Sequence, residues 1–208
     1  MKIIDISWPI TLDMTAYKDR AVVSFNYTKT FEKDGVRESI ITLGSHSGTH
    51  IDAPSHFLAD GAAIQERNLA ETCGPCIVLD CTDVIEAITD EVLRKHEINE
   101  GDIVLLKTRN SSLAANAPFA YDFIYLAASG AAYLSSKKIK AVGIDYLGIE
   151  RQQPHHETHI TLMQNGISII EGLRLALVNP GSYRLWCLPL CIQGLEAAPA
   201  RAVLEEIR

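Results

Sequence analysis

The segment HSGTHIDAPSHF, residues 46–57, constrains this chain more than any other stretch. It gathers His46, His50, Asp52 and His56 within eleven residues, out of seven histidines in all. Imidazole and carboxylate together suit borderline divalent cations such as zinc or manganese. His46 and His50 are four apart, which would put both on one face of a helix. Gly44, Gly48 and Pro54 oppose a helix there, as do the β-branched Thr49 and Ile51. Residues 39–43 read as a strand, so the expected form is a strand running into a tight glycine loop that folds the polar groups inward. In extended chain His50 and Asp52, two apart, point the same way. A metal or catalytic site is one reading. The other is a hydrogen-bonded polar loop in which His and Asp cap backbone groups.

Composition narrows the setting. The chain has 208 residues, 47% hydrophobic and 22% charged, enough to bury a core, and no Pro-, Gly- or Ser-rich run divides it. One domain over residues 1–208 is expected. A net charge of −7 argues against a general nucleic-acid or anionic-membrane binder. The N-terminal MKIIDISWPI is too short an apolar stretch for a signal peptide, and Asp5 interrupts it. No run of about 18 apolar residues is present, so no membrane span is expected. Five cysteines, an odd number, fit reduced thiols in a cytoplasm.

Along the chain, residues 2–6 read as a first strand and residues 8–20 as an irregular, aromatic-bearing loop. Residues 22–31 and 37–43 alternate in part and flank Asp34-Gly35, a hairpin signal. Short buried strands are expected at 77–80, 103–107 and 139–145, with helices at 89–97 and 121–138. Residues 146–158 are read as irregular, 159–170 as mixed helix and turn, and 172–178 and 182–191 as strands. The tail 199–208 suits helix or strand. Hairpins beside helix-linked strands favour a mixed α/β fold over a simple doubly wound sheet.

Cys73-Gly74-Pro75-Cys76 matches the tetrapeptide of thioredoxin-type oxidoreductases, but a strand pattern follows it where that chemistry needs a helix N-terminus. Cys187 and Cys191 lie in an apolar run and read as buried, inert thiols rather than zinc ligands. No nucleotide-binding glycine motif is present. A second cluster, His155, His156 and His159, follows the 139–145 strand, where ligand sites of α/β proteins form. Glu171 closes an apolar run, where a carboxylate is costly unless paired or bound to a metal.

HSGTHIDAPSH resembles the H-x-G-T-H-x-D-x-P-x-H signature of the cyclase family of metal-dependent hydrolases, which includes bacterial kynurenine formamidase and isatin hydrolase. The resemblance extends to Gly143-Ile144-Asp145, to His159 through Gly172, and to the final L-P-L-x-I and A-P-x-R-A-V. It implies a compact α/β swivelling domain with a mixed sheet, assembled as a homodimer or homotetramer. It implies one or two divalent ions, zinc before manganese: His46, His50 and Asp52 on the first, and Asp52 bridging to a second held by His159 and Glu171. His56 takes the acid/base role. The implied reaction is cleavage of a C–N bond in a small amide, lactam or formamide by metal-activated water, as in an arylformamidase. A dehydratase or cyclase acting on a hydroxy acid, and a metal-binding protein without turnover, are the alternatives. Trp8, Tyr17 and Phe57 are candidates for an aromatic substrate wall. Tyr17 stands about where kynurenine formamidase has a stacking tryptophan, and His155 and His156 match no family role.

Overall fold

The computed structural model describes residues 2–20 and 23–206. Val22, the first residue of an expected strand, lies outside them, as do residues 207 and 208 of the tail.

Twelve strands and four helices are described. The strands are β1 (Ile3–Asp5), β2 (Ser24–Lys29), β3 (Glu38–Thr42), β4 (His50–Asp52), β5 (Cys73–Asp80), β6 (Ala87–Ile88), β7 (Ile103–Lys107), β8 (Tyr125–Leu126), β9 (Ala141–Ile144), β10 (Ser168–Glu171), β11 (Gly181–Pro189) and β12 (Ala197–Glu206). The helices are α1 (Phe31–Asp34), α2 (Asp90–Leu93), α3 (Ala128–Ser136) and α4 (Glu157–Gln164). The main sheet runs β1-β12-β11-β5-β7-β9-β10-β4, and β4 pairs again with β12. That last pairing closes a barrel-like ring. Pairs β5–β7, β7–β9 and β9–β10 are parallel, and the rest of the ring is antiparallel, so the fold is the expected mixed α/β class.

The unbroken apolar run of β7 follows from burial on both sides. Ile103 and Leu105 face the interior cluster with Ile51, Ile170, Leu185 and Leu204. Val104 and Leu106 face the outer cluster, which holds Leu93, Leu134 and Leu162 of the helices. Each such Leu or Ile withdrawn from water contributes about 1.5–3 kcal/mol. A third cluster, with Trp8, Phe119, Phe123 and Tyr146, packs the N-terminal loop.

Several expected boundaries move. The 121–138 helix is instead β8, paired with β6, followed by the shorter α3. Phe123, Ile124 and Leu126 supply helix-like spacing, yet their backbone is extended or turned and their side chains enter two different clusters. The 89–97 helix contracts to the single turn α2, and Thr89 makes no side-chain cap. Residues 172–178 form no strand. One bridge, Ser7 to Leu173, is their ladder contact, while Leu173, Leu175 and Val178 drop into the interior cluster. The tail resolves as strand β12. Cys73–Cys76 opens β5, so no helix N-terminus activates a thiol there. Burial pushes the Cys76 and Cys81 thiols up to about 12.

Candidate active site

Four pieces of backbone bring the polar residues together. His46 lies in the turn between β3 and β4; His50 and Asp52 are on β4; Glu171 ends β10; and His159 is in the first turn of α4. β4 and β10 are antiparallel, with Glu171 directly opposite His50. Ile51 points the other way into the core, so His50 and Asp52 share one face.

A small clamp sets the spacing of the strands that carry His50, Asp52 and Glu171. The Thr49 hydroxyl donates to the Gly172 carbonyl at 2.5 Å and accepts the Trp8 backbone N–H at 2.7 Å. Gly172 has φ +71°, and a Cβ there would sit 2.3 Å from the Gly48 carbonyl oxygen. Only glycine allows that approach. Behind His56, a Cβ on Gly61 would strike the backbone of Pro54 and Ser55 at 2.4–2.6 Å, so the Asp60-Gly61 turn supports the Pro54–His56 turn at close range.

The side chains converge around Asp52. Its Oδ1 lies 3.1 Å from His46 Nδ1 and 3.5 Å from His50 Nε2, and its Oδ2 lies 3.5 Å from His159 Nε2. Glu171 straddles the same pair of histidines, with Oε2 3.3 Å from His50 Nε2 and Oε1 3.3 Å from His159 Nε2. Oε1 also accepts the Ile149 N–H at 2.6 Å. His50 Nδ1 is committed to the Gly48 carbonyl at 3.0 Å, leaving Nε2 for the centre. Despite this crowding, His50 Nε2 and both oxygens of Asp52 are buried without a properly directed hydrogen bond. Three orphaned polar atoms in one place are expensive. Shared coordination of a cation would satisfy all three, so these residues fit a divalent metal.

Electrostatics point the same way. Burial alone would lower the pKa of His50, but the adjoining Glu171 and the charges of Asp52 and Glu171 raise it to about 9. Burial would raise Asp52, yet the approach of His159 and His46 and the charge of His50 hold it well below the carboxylate range. Glu171 is likewise lowered: burial and the Asp52 charge push up, and His159 and His50 outweigh them. Burial dominates at His56 and lowers its pKa against the pull of Asp52, which favours the neutral imidazole.

A cavity of about 460 Å³ opens onto this centre. His56, Phe57 and Tyr17 all line it, as does His156. The His56 ring stands 4.4 Å from His46 and 4.2 Å from Phe57, centroid to centroid. Tyr17 packs edge-on against Phe119 at 5.1 Å. Trp8 is not a wall residue: it is 2% exposed, edge-on to Tyr146, with its indole N–H donated to the Ala115 carbonyl. Its part is the clamp on Thr49. His155 is exposed and belongs to none of the metal-ligating groups among the described residues. Glu150 is the site residue that sequence reading missed. It is buried and flanked by His156 and His159. Glu150 follows the apolar Ile149, the same costly placing of a carboxylate that marks Glu171.

Among known proteins, a family described as putative cyclase matches residues 4–151. The kynurenine formamidase of Bacillus mycoides (strain KBAB4) is 31% identical over 207 residues, covering 98% of this chain and 97% of that protein. A solved structure described as a potential metal-dependent hydrolase with cyclase activity superposes with a TM-score of 0.89 at 41% identity, covering 100% of this chain and 99% of the other. An isatin hydrolase bound to the product analogue thioisatinate shares the fold, with a TM-score of 0.84 at 22% identity over 98% and 91% of the two chains. The chain belongs to the putative cyclase family, alongside bacterial kynurenine formamidases.

Proposed function

We propose that this protein is a metal-dependent hydrolase that cleaves the C–N bond of a small aryl amide or formamide, with N-formylkynurenine as the first candidate substrate. One observation carries the reading: three orphaned buried polar atoms, on His50 and Asp52, at the floor of an aromatic-walled cavity. His46, His50, Asp52, His159 and Glu171 would hold one or two ions, zinc before manganese. The two oxygens of Asp52 face different histidines, as a bridging carboxylate requires. A divalent ion there supplies Lewis acidity, lowering the pKa of water from about 16 towards 7 and polarising a carbonyl.

The chain's own groups do the rest. His56, neutral by virtue of burial, takes a proton from the attacking water and returns it to the departing amine nitrogen. Its place after Pro54 fixes the ring beside His46. Phe57 and Tyr17 offer ring faces and edges to an aryl group and keep water from it.

The wider setting is part of the same reading. Five free thiols suit a cytoplasmic enzyme. No helix among the described residues is long and apolar enough to cross a membrane. A second copy of the chain would cover the β2–β3 hairpin, whose Tyr27, Ile40 and Ile41 are exposed, since a lone two-stranded hairpin is marginal in water. A homodimer or homotetramer follows, which light scattering would read directly.

The test is hydrolysis of N-formylkynurenine by protein stripped with chelator and reloaded separately with zinc and manganese. Restored turnover is expected. Bound metal without turnover would discard this substrate, and no bound metal under either loading would discard the enzyme.

A further inference from the structure

Glu150 lies in the loop that follows β9 and is 5% exposed. An ionised carboxylate only accepts hydrogen bonds, so whatever touches it must bring the proton. Its Oε2 accepts the backbone N–H of His159 at 3.2 Å and lies 3.0 Å from Nδ1 of the same residue. Its Oε1 accepts from His156 Nδ1. One side chain thus binds the main chain of His159, sets an oxygen 3.0 Å from its ring nitrogen without a well-directed hydrogen bond, and takes a second imidazole on its other oxygen.

The consequence for His159 is specific. Were Nε2 to bind a metal, the neutral ring would carry its proton on Nδ1, the nitrogen that faces Glu150. Nε2 faces Asp52 Oδ2 at 3.5 Å and Glu171 Oε1 at 3.3 Å. A carboxylate behind a histidine fixes the tautomer and raises the basicity of the far nitrogen. Glu150 also anchors the start of α4: it binds the N–H of His159 in the first turn and the side chain of His156 at the N-cap, whose backbone has φ +53°. Phe57 closes the arrangement, with its ring 4.5 Å from His159 and 4.6 Å from His156.

We propose that Glu150 is a positioning residue which holds His159 with Nε2 turned to the metal-binding centre, and that the His156 contact is separable from that task. This rests on the reading of His159 as a metal ligand. The experiment is a zinc competition titration against a chromophoric chelator, on wild type, Glu150→Ala, Glu150→Gln and His156→Ala, each first checked for native near-UV circular dichroism. Glu150→Ala is expected to weaken zinc binding about 10–100-fold. Glu150→Gln falls between, because an amide oxygen still accepts one imidazole N–H. His156→Ala stays within about twofold of wild type, since only Oε1 of Glu150, not the oxygen that faces His159, loses its partner. In the zinc-loaded wild type, long-range proton–nitrogen correlation shows a protected Nδ1–H on His159, and Glu150→Ala loses it.

Glu150→Ala binding zinc as tightly as wild type would overturn the inference. So would His156→Ala weakening zinc as much as Glu150→Ala, which would make the loop a general scaffold. If Glu150→Ala does not fold, Glu150→Gln decides: unchanged affinity with an unmoved His159 Nδ1–H resonance sinks the idea. Absence of zinc binding by the wild type would overturn the metal reading itself, a distinct result.

Discussion

Two buried aspartates in this molecule have opposite surroundings. Asp145, at the end of β9, accepts four hydrogen bonds from neutral donors: the N–H and hydroxyl of Thr108, both at 2.8 Å, and the N–H and hydroxyl of Ser111, at 3.1 and 2.7 Å. Asp52 is equally buried and has no well-directed hydrogen bond, only histidines at awkward angles. Burial raises the pKa of Asp145 despite its donors, whereas at Asp52 the histidines win and the charge persists. Depth therefore does not separate Asp145 from Asp52, the carboxylate proposed to hold a metal. The difference is whether the lone pairs are already filled.

The sharpest way to break this contrast is to remove each carboxylate. Asp52→Ala should reduce zinc content to near none and turnover to background. Full metal occupancy in that variant, by elemental analysis, would end the ligand assignment. His56→Ala should keep metal and fold but lose about 10²–10⁴ in kcat, the usual share of a general acid/base; a wild-type rate would take His56 out of the mechanism. Asp145→Ala should leave zinc stoichiometry alone. It should cost about 3 kcal/mol or more in unfolding free energy, as two backbone donors and two hydroxyls lose their acceptor at about 1–3 kcal/mol for each group left unsatisfied. A chemical denaturation curve that does not move would remove Asp145 from the scaffold.

A pH series sharpens the same comparison. In metal-free protein the His50 pKa is raised from 6.5 to about 9, so its stabilisation is complete below about 6.5 and is lost as pH rises through about 9. Glu171 is depressed below 4.5, so its contribution is present above that value and fades as the medium becomes more acid. The melting temperature of chelated protein should therefore peak between about 4.5 and 6.5. Zinc affinity runs the other way, tightening up to about pH 9, because the ion must displace the His50 proton. Calorimetry at pH 7 in two buffers of different ionisation enthalpy should detect proton release, and its absence would contradict the raised His50. The smallest expected effect is Tyr17→Ala, which should raise KM severalfold with kcat nearly kept, in line with about 0.5–1.5 kcal/mol for one aromatic contact.

Much of this site is local in sequence, which is why it could be read there. His46, His50, Asp52 and His56 fall on one turn, one short strand and one further turn, and the period of two correctly paired His50 with Asp52. Glu171 was recognisable because an acid closing an apolar run needs a reason. Glu150 escaped because its partners lie in α4, beyond a loop without periodicity. The fold was legible where both faces of a strand are buried, as in β7 and β9. It misled where apolar residues serve packing without a full ladder: Leu173 and Leu175 alternate like a strand, but the Ser7–Leu173 bridge does not extend into one. The 121–138 segment carries helical spacing, yet Tyr125 and Leu126 are claimed by the parallel partner β6, a tertiary choice that local propensity does not contain.

The closure of the ring has a consequence for how the protein is made. β4 carries His50 and Asp52, and its pairing with residues 197–199 of β12 spans most of the chain. On a ribosome, the edge beside the histidines stays open until that late segment emerges. Contacts of such long sequence separation form slowly, and an open edge invites wrong partners in the meantime. A metal site built on β4 would therefore keep one flank unpaired until residues 197–199 have been made.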